Sequence, residues 1–486
     1  LIIKYKKQGK LVNYFFINYH LLMPNKRGNL FTETMKKTYL LLLIINMNVV
    51  NSMSNVENDI NKLKIDSLFD SLAINNEYMG TISIFKKNQE IYSRSTGFAD
   101  IKNDVLSNNK TRYRIGSISK TFTAVLIMQL VEENKLNLND KLSEYFPEIK
   151  LSNHITIEQL LTHRSGIYNF TDIKDYESWM ENPITNIELI DKINENKRRF
   201  KPNKKFEYSN SNYFLLSLII EKIEGETFKK VLENKIIKPF KLSQTYCCSN
   251  EQGNDIAKSY YKTDNFWQEA TSTDLRITSG AGGVVSTAND VNKFFNLLAN
   301  HKIISEQSLD LMSYNLKDSK YGFGLFEIDF FNKSGYGHNG RIDGFISTTS
   351  YFPDDGISIT YLNNGFRTDL NDVLIKVLAY TFKTDYVDKN KYSELNIFNK
   401  SLIQLQGNYK RKKNDFKIKL KKNILVAQIE VGTVQLDFGL TPITKNRFKI
   451  DVLGVDLEFY TNKNLVIIYD EGKEIKYKKK GKLKNK

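Results

Sequence analysis

The run TFTAVLIMQLV, from Thr121 to Val131, is apolar nearly all round, interrupted only by Thr123 and Gln129. A helix of that kind has to be covered on most sides. The chain must therefore wrap other layers of structure around it, and the residues at its start will be buried too. One of them is Lys120. Burying an ammonium is costly unless a partner or a chemical role compensates. Ser117 lies three residues earlier, on the same helix face one turn back. A hydroxyl facing a desolvated amine is a nucleophile beside its base.

With 486 residues the chain is long for one domain, and two are expected. Its net charge of +16 is concentrated at the ends. Residues 1–34 contribute +5, Lys36 and Lys37 contribute +2, and residues 478–486 contribute +6, which is 13 of the 16. The body between is close to balanced. The charge therefore reads as solvated tails, and no basic groove or nucleic-acid partner is expected.

Met35 opens MKKTYLLLLIINMNVVNS, a basic start followed by a short apolar run and small residues at Val50-Asn51-Ser52. That is the pattern of an export signal, and the run is too short to span a bilayer. Residues 35–52 are expected to be a signal peptide and residues 1–34 an upstream extension. The mature protein would then be periplasmic or extracellular, with no stable membrane span. Cys247 and Cys248 are the only cysteines. Neighbouring cysteines rarely bond to each other, so two buried thiols are expected and no metal role.

Residues from Gly80 alternate around a Lys-Lys-Asn-Gln turn and predict a hairpin. Helical text follows to about residue 240, with SNYFLLSLIIEKIEG the clearest stretch and Gly225 its stop. TSGAGGVVSTANDVNKFFNLL predicts a Gly-rich turn and then an amphipathic helix with Asp290 near its start. After Tyr321, GFGLFEID, GFISTTSYFP and GISITYLNN read as strands. Strands at both ends with helices between predict an α+β domain: one antiparallel sheet built from both termini and flanked by helices. From about residue 391 short alternating runs with polar turns predict a C-terminal all-β module, sandwich or small barrel, without chemistry of its own.

Three short elements carry the chemistry. Ser117-Ile-Ser-Lys120 follows a glycine and opens the buried helix, where backbone N–H groups favour an oxyanion. Tyr208-Ser-Asn210 supplies a phenol, whose phenolate an adjacent ammonium would favour, and an amide. His338-Asn-Gly340-Arg341 lies just before a strand, with glycines that permit close backbone approach. His163, in LLTHRSG, reads as a packed or hydrogen-bonded residue. Glu207 reads as a loop-fixing carboxylate, and Asp343 as shaping the turn before Gly344.

In that order these elements resemble the serine β-lactamase and penicillin-binding-protein superfamily, in its class C-like branch with D-Ala-D-Ala carboxypeptidases, D-aminopeptidases and esterases. The resemblance covers roughly residues 60–385. Counting the chain to its ends, it implies a hydrolase domain over 53–390 and a lipocalin-like β-module with a Lys-rich tail over 391–486. It implies that Ser117 is acylated and that Lys120 activates it. Tyr208 would be the acylation base and the leaving-group acid. Asn210 would hold Lys120 and substrate. The N–H groups of Ser117 and Arg341 would form the oxyanion hole, Gly340 would help bind and position substrate, and His338 would line the site.

Many relatives carry Lys-Thr-Gly where this chain has His338-Asn-Gly340. A histidine is largely neutral at pH 7, so efficient β-lactam hydrolysis is not expected. Arg341 is the candidate to supply the missing charge. The function implied is an exported serine hydrolase acting on a small ester, a D-amino-acid amide or peptide, a β-lactam or a peptidoglycan-derived acyl donor. The mechanism needs no metal or organic cofactor. The alternative is a penicillin-binding sensor or scaffold that acylates but turns over little.

Overall fold

A computed structural model describes residues 2–7, 10–15 and 60–480, apart from short gaps in the last span, of which 385–398 is the longest. The predicted signal, residues 35–52, lies outside the described residues. The chain divides into two compact units, 1–59 and 60–486. In the first, Ile2–Lys7 and Lys10–Phe15 pair as an antiparallel hairpin.

Among the described residues the second unit holds two large sheets and two small ones, of three and two short strands. The first large sheet is built from β1 (Tyr78–Lys86), β2 (Gln89–Thr96), β3 (Phe326–Phe330), β4 (Lys333–Ile342), β5 (Phe345–Phe352) and β6 (Ile357–Phe366). Its order runs β2-β1-β6-β5-β4-β3, with the short strands Tyr260–Lys262 and Trp267–Glu269 added beside β6. The N-terminal hairpin thus pairs with strands from the far end of the domain, in the antiparallel α+β architecture the sequence predicts. Lys87 and Asn88, both at positive φ, form a tight turn between β1 and β2.

Six helices matter for the site: α1 (Lys62–Ile74), α2 (Ser119–Glu132), α3 (Leu275–Gly282), α4 (Ala288–Ala299), α5 (Leu370–Phe382) and, between α2 and α3 in the chain, the helix Asn210–Glu224. Alternate side chains of a strand point to opposite faces. On one face Thr360 donates to Asn292 of α4, whose amide donates to the Ser83 carbonyl. On the other, Tyr361 and Tyr78 stack with Phe69 of α1. Helix α2 is buried from Ser119 to Met128, and its Phe122 stacks on Phe294 of α4 at 3.8 Å between centroids. Each such fully buried ring contributes on the order of 1.5–3 kcal/mol of apolar transfer.

Two elements differ from expectation. The Gly-rich stretch is helix α3, kinked at Ser279, followed by the short strand Val284–Ser286. The His338 motif lies just ahead of strand β5 as expected, and is itself the end of strand β4. Cys247 and Cys248 form a disulfide where two thiols were expected. Cys248 takes a left-handed backbone, φ 58°, which turns its side chain back beside its neighbour. Among the described residues the C-terminal sheet has nine antiparallel strands and its own apolar core, including Tyr409, Ile418, Phe448 and Leu457.

Candidate active site

Ser117 sits in a single 3-10 turn, Gly116–Ile118, that feeds directly into α2. Two glycines let β4 reach this turn. Gly116 has φ +50°, and a Cβ there would come within 2.8 Å of the Arg341 nitrogen. A Cβ on Gly340 would lie 2.0 Å from the Ile115 carbonyl oxygen. Strand β3 pairs only with residues 333–337 of β4, so residues 338–342 extend past it. Ile342 and Phe345 flank a two-residue hairpin turn, which makes them a hydrogen-bonded pair. By alternation Arg341 and Ile346 form a non-bonded pair, and the Arg341 N–H faces the open edge of β4, toward the Ser117 turn.

Lys120 is fully buried and sits among three oxygens. Its Nζ lies 2.9 Å from Ser117 Oγ, 2.8 Å from Asn210 Oδ1 and 2.7 Å from the Ala281 carbonyl oxygen. Burial holds its pKa well below the ordinary lysine value. A neutral amine has two N–H groups and one lone pair. Asn210 Oδ1 and the Ala281 carbonyl can only accept, so they take both N–H groups. The lone pair is left for the Ser117 hydroxyl proton. Asn210 is fixed in turn, its Nδ2 donating to Thr171 Oγ1 and its backbone N–H to Asn169 Oδ1.

The Tyr208 phenol hydrogen-bonds the Ser117 side chain. Its ring centroid is 4.9 Å from Lys120 Nζ. The phenolate expected from sequence is not what these surroundings favour: burial raises the Tyr208 pKa and outweighs the hydrogen bond. Burial disfavours the charge on Lys120 as well, which leaves a phenolate little support there. His163 packs its ring 4.2 Å from that of Tyr208 and accepts the Ser209 N–H at its Nδ1. Glu207 pairs with Lys205 and Arg199 outside the site.

His338 is placed behind the site and not along its wall. It is 1% exposed, with Nδ1 2.6 Å from the Asn339 carbonyl oxygen and Nε2 3.2 Å from the Tyr321 hydroxyl. The carbonyl can only accept, so Nδ1 carries the proton and Nε2 accepts from Tyr321. Burial lowers its pKa to about 3. It is a neutral packing partner of Tyr321 and Phe326. Arg341, by contrast, is exposed on the wall of the cleft.

The cleft has a volume of about 660 Å³, with Ser117 and Asn210 at its base and Glu177, Tyr261, Arg341 and Met180 on its walls. Sequence reasoning missed several residues that build it. Ala281 and Thr171 position Lys120 and Asn210. Asp343, which shapes its turn as predicted, also accepts from Arg114 at 3.0 Å and from the Thr273 hydroxyl and N–H. Its side chain is 2% exposed. This clamp ties the β4–β5 turn to the strand that leads into Ser117. The GAGG text pointed at Ala281. Asn169 and Thr171 carried no readable signal, since only the fold brings them to the lysine.

A serine hydroxyl bonded to a buried amine and a phenol, beside paired backbone N–H groups, defines the serine acyl-enzyme hydrolases. Residues 76–379 match the family model described as Beta-lactamase, and the chain belongs to that family as a class C-like serine hydrolase. It is 26% identical over 331 residues to the teichoic acid D-alanine hydrolase of Staphylococcus aureus (strain NCTC 8325 / PS 47), covering 66% of this chain and 79% of that protein. Its fold is similar to that of D-amino acid amidase from Ochrobactrum anthropi SV3 complexed with L-phenylalanine amide (TM-score 0.59, 22% identity, 66% of this chain and 98% of that one). It is also similar to the octameric penicillin-binding protein homologue from Pyrococcus abyssi (TM-score 0.60, 24% identity, 86% and 100%).

Proposed function

We propose that this protein removes D-aminoacyl groups, D-alanyl above all, from esters or amides through an acyl-enzyme on Ser117. The observation that carries the reading is the Lys120 geometry, a fully buried Nζ within 2.9 Å of Ser117 Oγ, Asn210 Oδ1 and the Ala281 carbonyl oxygen, with a pKa that burial lowers. In this mechanism Lys120 takes the hydroxyl proton as Oγ attacks the acyl carbon. The N–H groups of Ser117 and Arg341 hold the developing oxyanion. Tyr208, still protonated, gives its proton to the departing alkoxide or amine and is reprotonated from Lys120. Water then attacks the acyl-enzyme by the reverse relay.

The choice of acyl group is supported by the relatives and by the cleft wall. Glu177 offers a carboxylate to the free ammonium of an aminoacyl group. Arg341 offers a cation to an anionic group on the leaving side. His338, buried and neutral, does not replace the lysine that would bind a substrate carboxylate at that position. Export follows from the sequence of residues 35–52 and is part of the same proposal.

The test is the intact mass of the protein during reaction with a soluble D-alanyl ester, beside Ser117→Ala. A transient D-alanyl adduct with release of many equivalents of D-alanine is expected for the wild type, and neither for the variant. An adduct that persists after one equivalent would replace turnover by a sensor role. Equal release by Ser117→Ala would sink the acyl-enzyme.

A further inference from the structure

We propose that the outward face of three adjacent strands in the C-terminal sheet is a binding surface for a linear phosphodiester polymer. The strands are β7 (Gly407–Arg411), β8 (Asn414–Lys421) and β9 (Lys473–Lys480), and their order in the sheet is β8-β7-β9. Their inward side chains are fixed by the core: Tyr409 stacks on Phe416 at 5.5 Å, and Tyr477 packs edge-on against Phe416 at 5.0 Å. Period-two alternation then puts the other set outside. That set is Lys417, Lys419 and Lys421 on β8, Lys410 on β7, and Lys476, Lys478 and Lys480 on β9. The register confirms the shared face: Asn408 pairs with both Lys417 and Lys480, and Lys410 with both Asp415 and Lys478. Five of the seven lysines are exposed and the other two half-buried.

The sequence reading placed the positive charge in tails. The fold instead gathers four body lysines (Lys410, Lys417, Lys419, Lys421) and Lys476 with Lys478 and Lys480 of the tail into one field. Against the seven, that face carries the acids Asp415 and Glu474, the latter 3.7 Å from Lys476. Like charges directly opposite each other weaken a sheet, and Lys410 faces Lys478 directly. An anionic partner relieves that repulsion.

The spacing and the composition name the partner. Neighbouring strands lie about 4.8 Å apart and alternate residues about 6.8 Å apart, so the charges form a lattice suited to a chain of repeated anions. A surface that reads single-stranded nucleic acid adds aromatic platforms for the bases. Here Tyr409, Phe416 and Tyr477 face inward, and the lysine face of these strands offers no aromatic ring. A base-free phosphodiester chain fits. The choice of phosphodiester over another polyanion rests on the proposed D-alanyl esterase function and on the similarity to a teichoic acid D-alanine hydrolase, whose polymer is a phosphodiester chain.

The experiment uses the full chain and a fluorescent poly(glycerol phosphate) without alanine, so that no hydrolysis enters the binding readout. Affinity is measured against salt for the wild type and for Lys410→Gln/Lys417→Gln/Lys419→Gln/Lys421→Gln/Lys476→Gln. The variant is expected to bind at least tenfold more weakly, and its salt slope to fall by about 3.5, at roughly 0.7 for each of five lost contacts. Its hydrolysis of a small soluble D-alanyl ester should stay within twofold of wild type, which shows that it folds. Unchanged polymer affinity in a variant of unchanged esterase activity would overturn the proposal. So would a wild type that binds single-stranded DNA of equal charge as tightly as the polymer. If the wild type binds the polymer as expected but hydrolyses no D-alanyl ester, the proposed function falls and the surface stands.

Discussion

The same side chain does opposite work in two parts of this molecule. Lys120 is fully buried, held at three oxygens, and burial drives its pKa well below the ordinary lysine value. The outward lysines of β7, β8 and β9 lie at the surface of a sheet, five of them exposed and two half-buried. Burial suits one lysine to the work of a base, and the sheet surface suits the others to attracting anions. Location in the fold, not residue type, divides chemistry from attraction.

Breaking the buried half should have the largest effect. Lys120→Arg installs a group that stays protonated, and a loss of kcat of about 10³-fold or more is expected, within the range that general bases contribute and with nucleophile activation lost too. Steady-state hydrolysis of a D-alanyl ester checks it; activity within tenfold of wild type would remove Lys120 from the base role. Next comes Tyr208→Phe, expected to cost about 10²–10⁴-fold, most on substrates with poor leaving groups. An equal loss on activated and unactivated esters would deny Tyr208 its role as the acid.

The pH profile sharpens the same comparison. The active form carries Lys120 unprotonated, and its pKa is lowered by burial. Activity should therefore rise with pH through a value well below the ordinary lysine pKa of about 10.4 and then level off. An acid limb at the ordinary lysine value would show that the amine is not desolvated in solution.

A smaller effect is expected from Asp343→Asn, which weakens the hold of Arg114 on the β4–β5 turn. A fall in kcat of about 10–100-fold is predicted, with KM little changed, because oxyanion stabilisation depends on sub-ångström placement. A loss confined to KM would assign Asp343 to binding instead. The smallest effect is expected from His338→Gln: kcat within a few-fold and an unchanged pH profile, since the imidazole is already neutral down to about pH 3. Its contribution lies in stability. Its folded pKa is depressed, so as pH falls below about 6.5 the unfolded chain gains the proton first and stability declines. The variant should lose part of that acid sensitivity in thermal melts taken from pH 7 to pH 4.

The legible parts were those written in local pattern. The apolar run of α2, the hairpin of β1 and β2 and the Gly225 stop each announce themselves within a dozen residues. The three motifs named the nucleophile, amine, phenol and amide that the structure brings together. What escaped depends on long-range packing. Whether His338 points into a cleft or into a core is decided by Tyr321 and Phe326, and the protonation of Tyr208 by burial that no single segment reveals. The Asp343 clamp joins residues 114, 273 and 343, which no local pattern connects. The lysine field escaped for a related reason: charge counted along the chain was called tail and body, and only strand order shows that β7, β8 and β9 are neighbours.

The closeness of Arg341 to Gly116 has a consequence for the life of the chain. The proposed nucleophile and oxyanion donor belong to segments more than two hundred residues apart, and β1, after pairing with β2, completes its second edge only with β6. A chain synthesised only as far as Gly340 lacks the Arg341 N–H altogether, so the proposed site is complete only once the far end of the domain has joined the sheet. A mechanism-based ester label would therefore count completed molecules, and its rate of appearance during refolding would time the closure of the sheet.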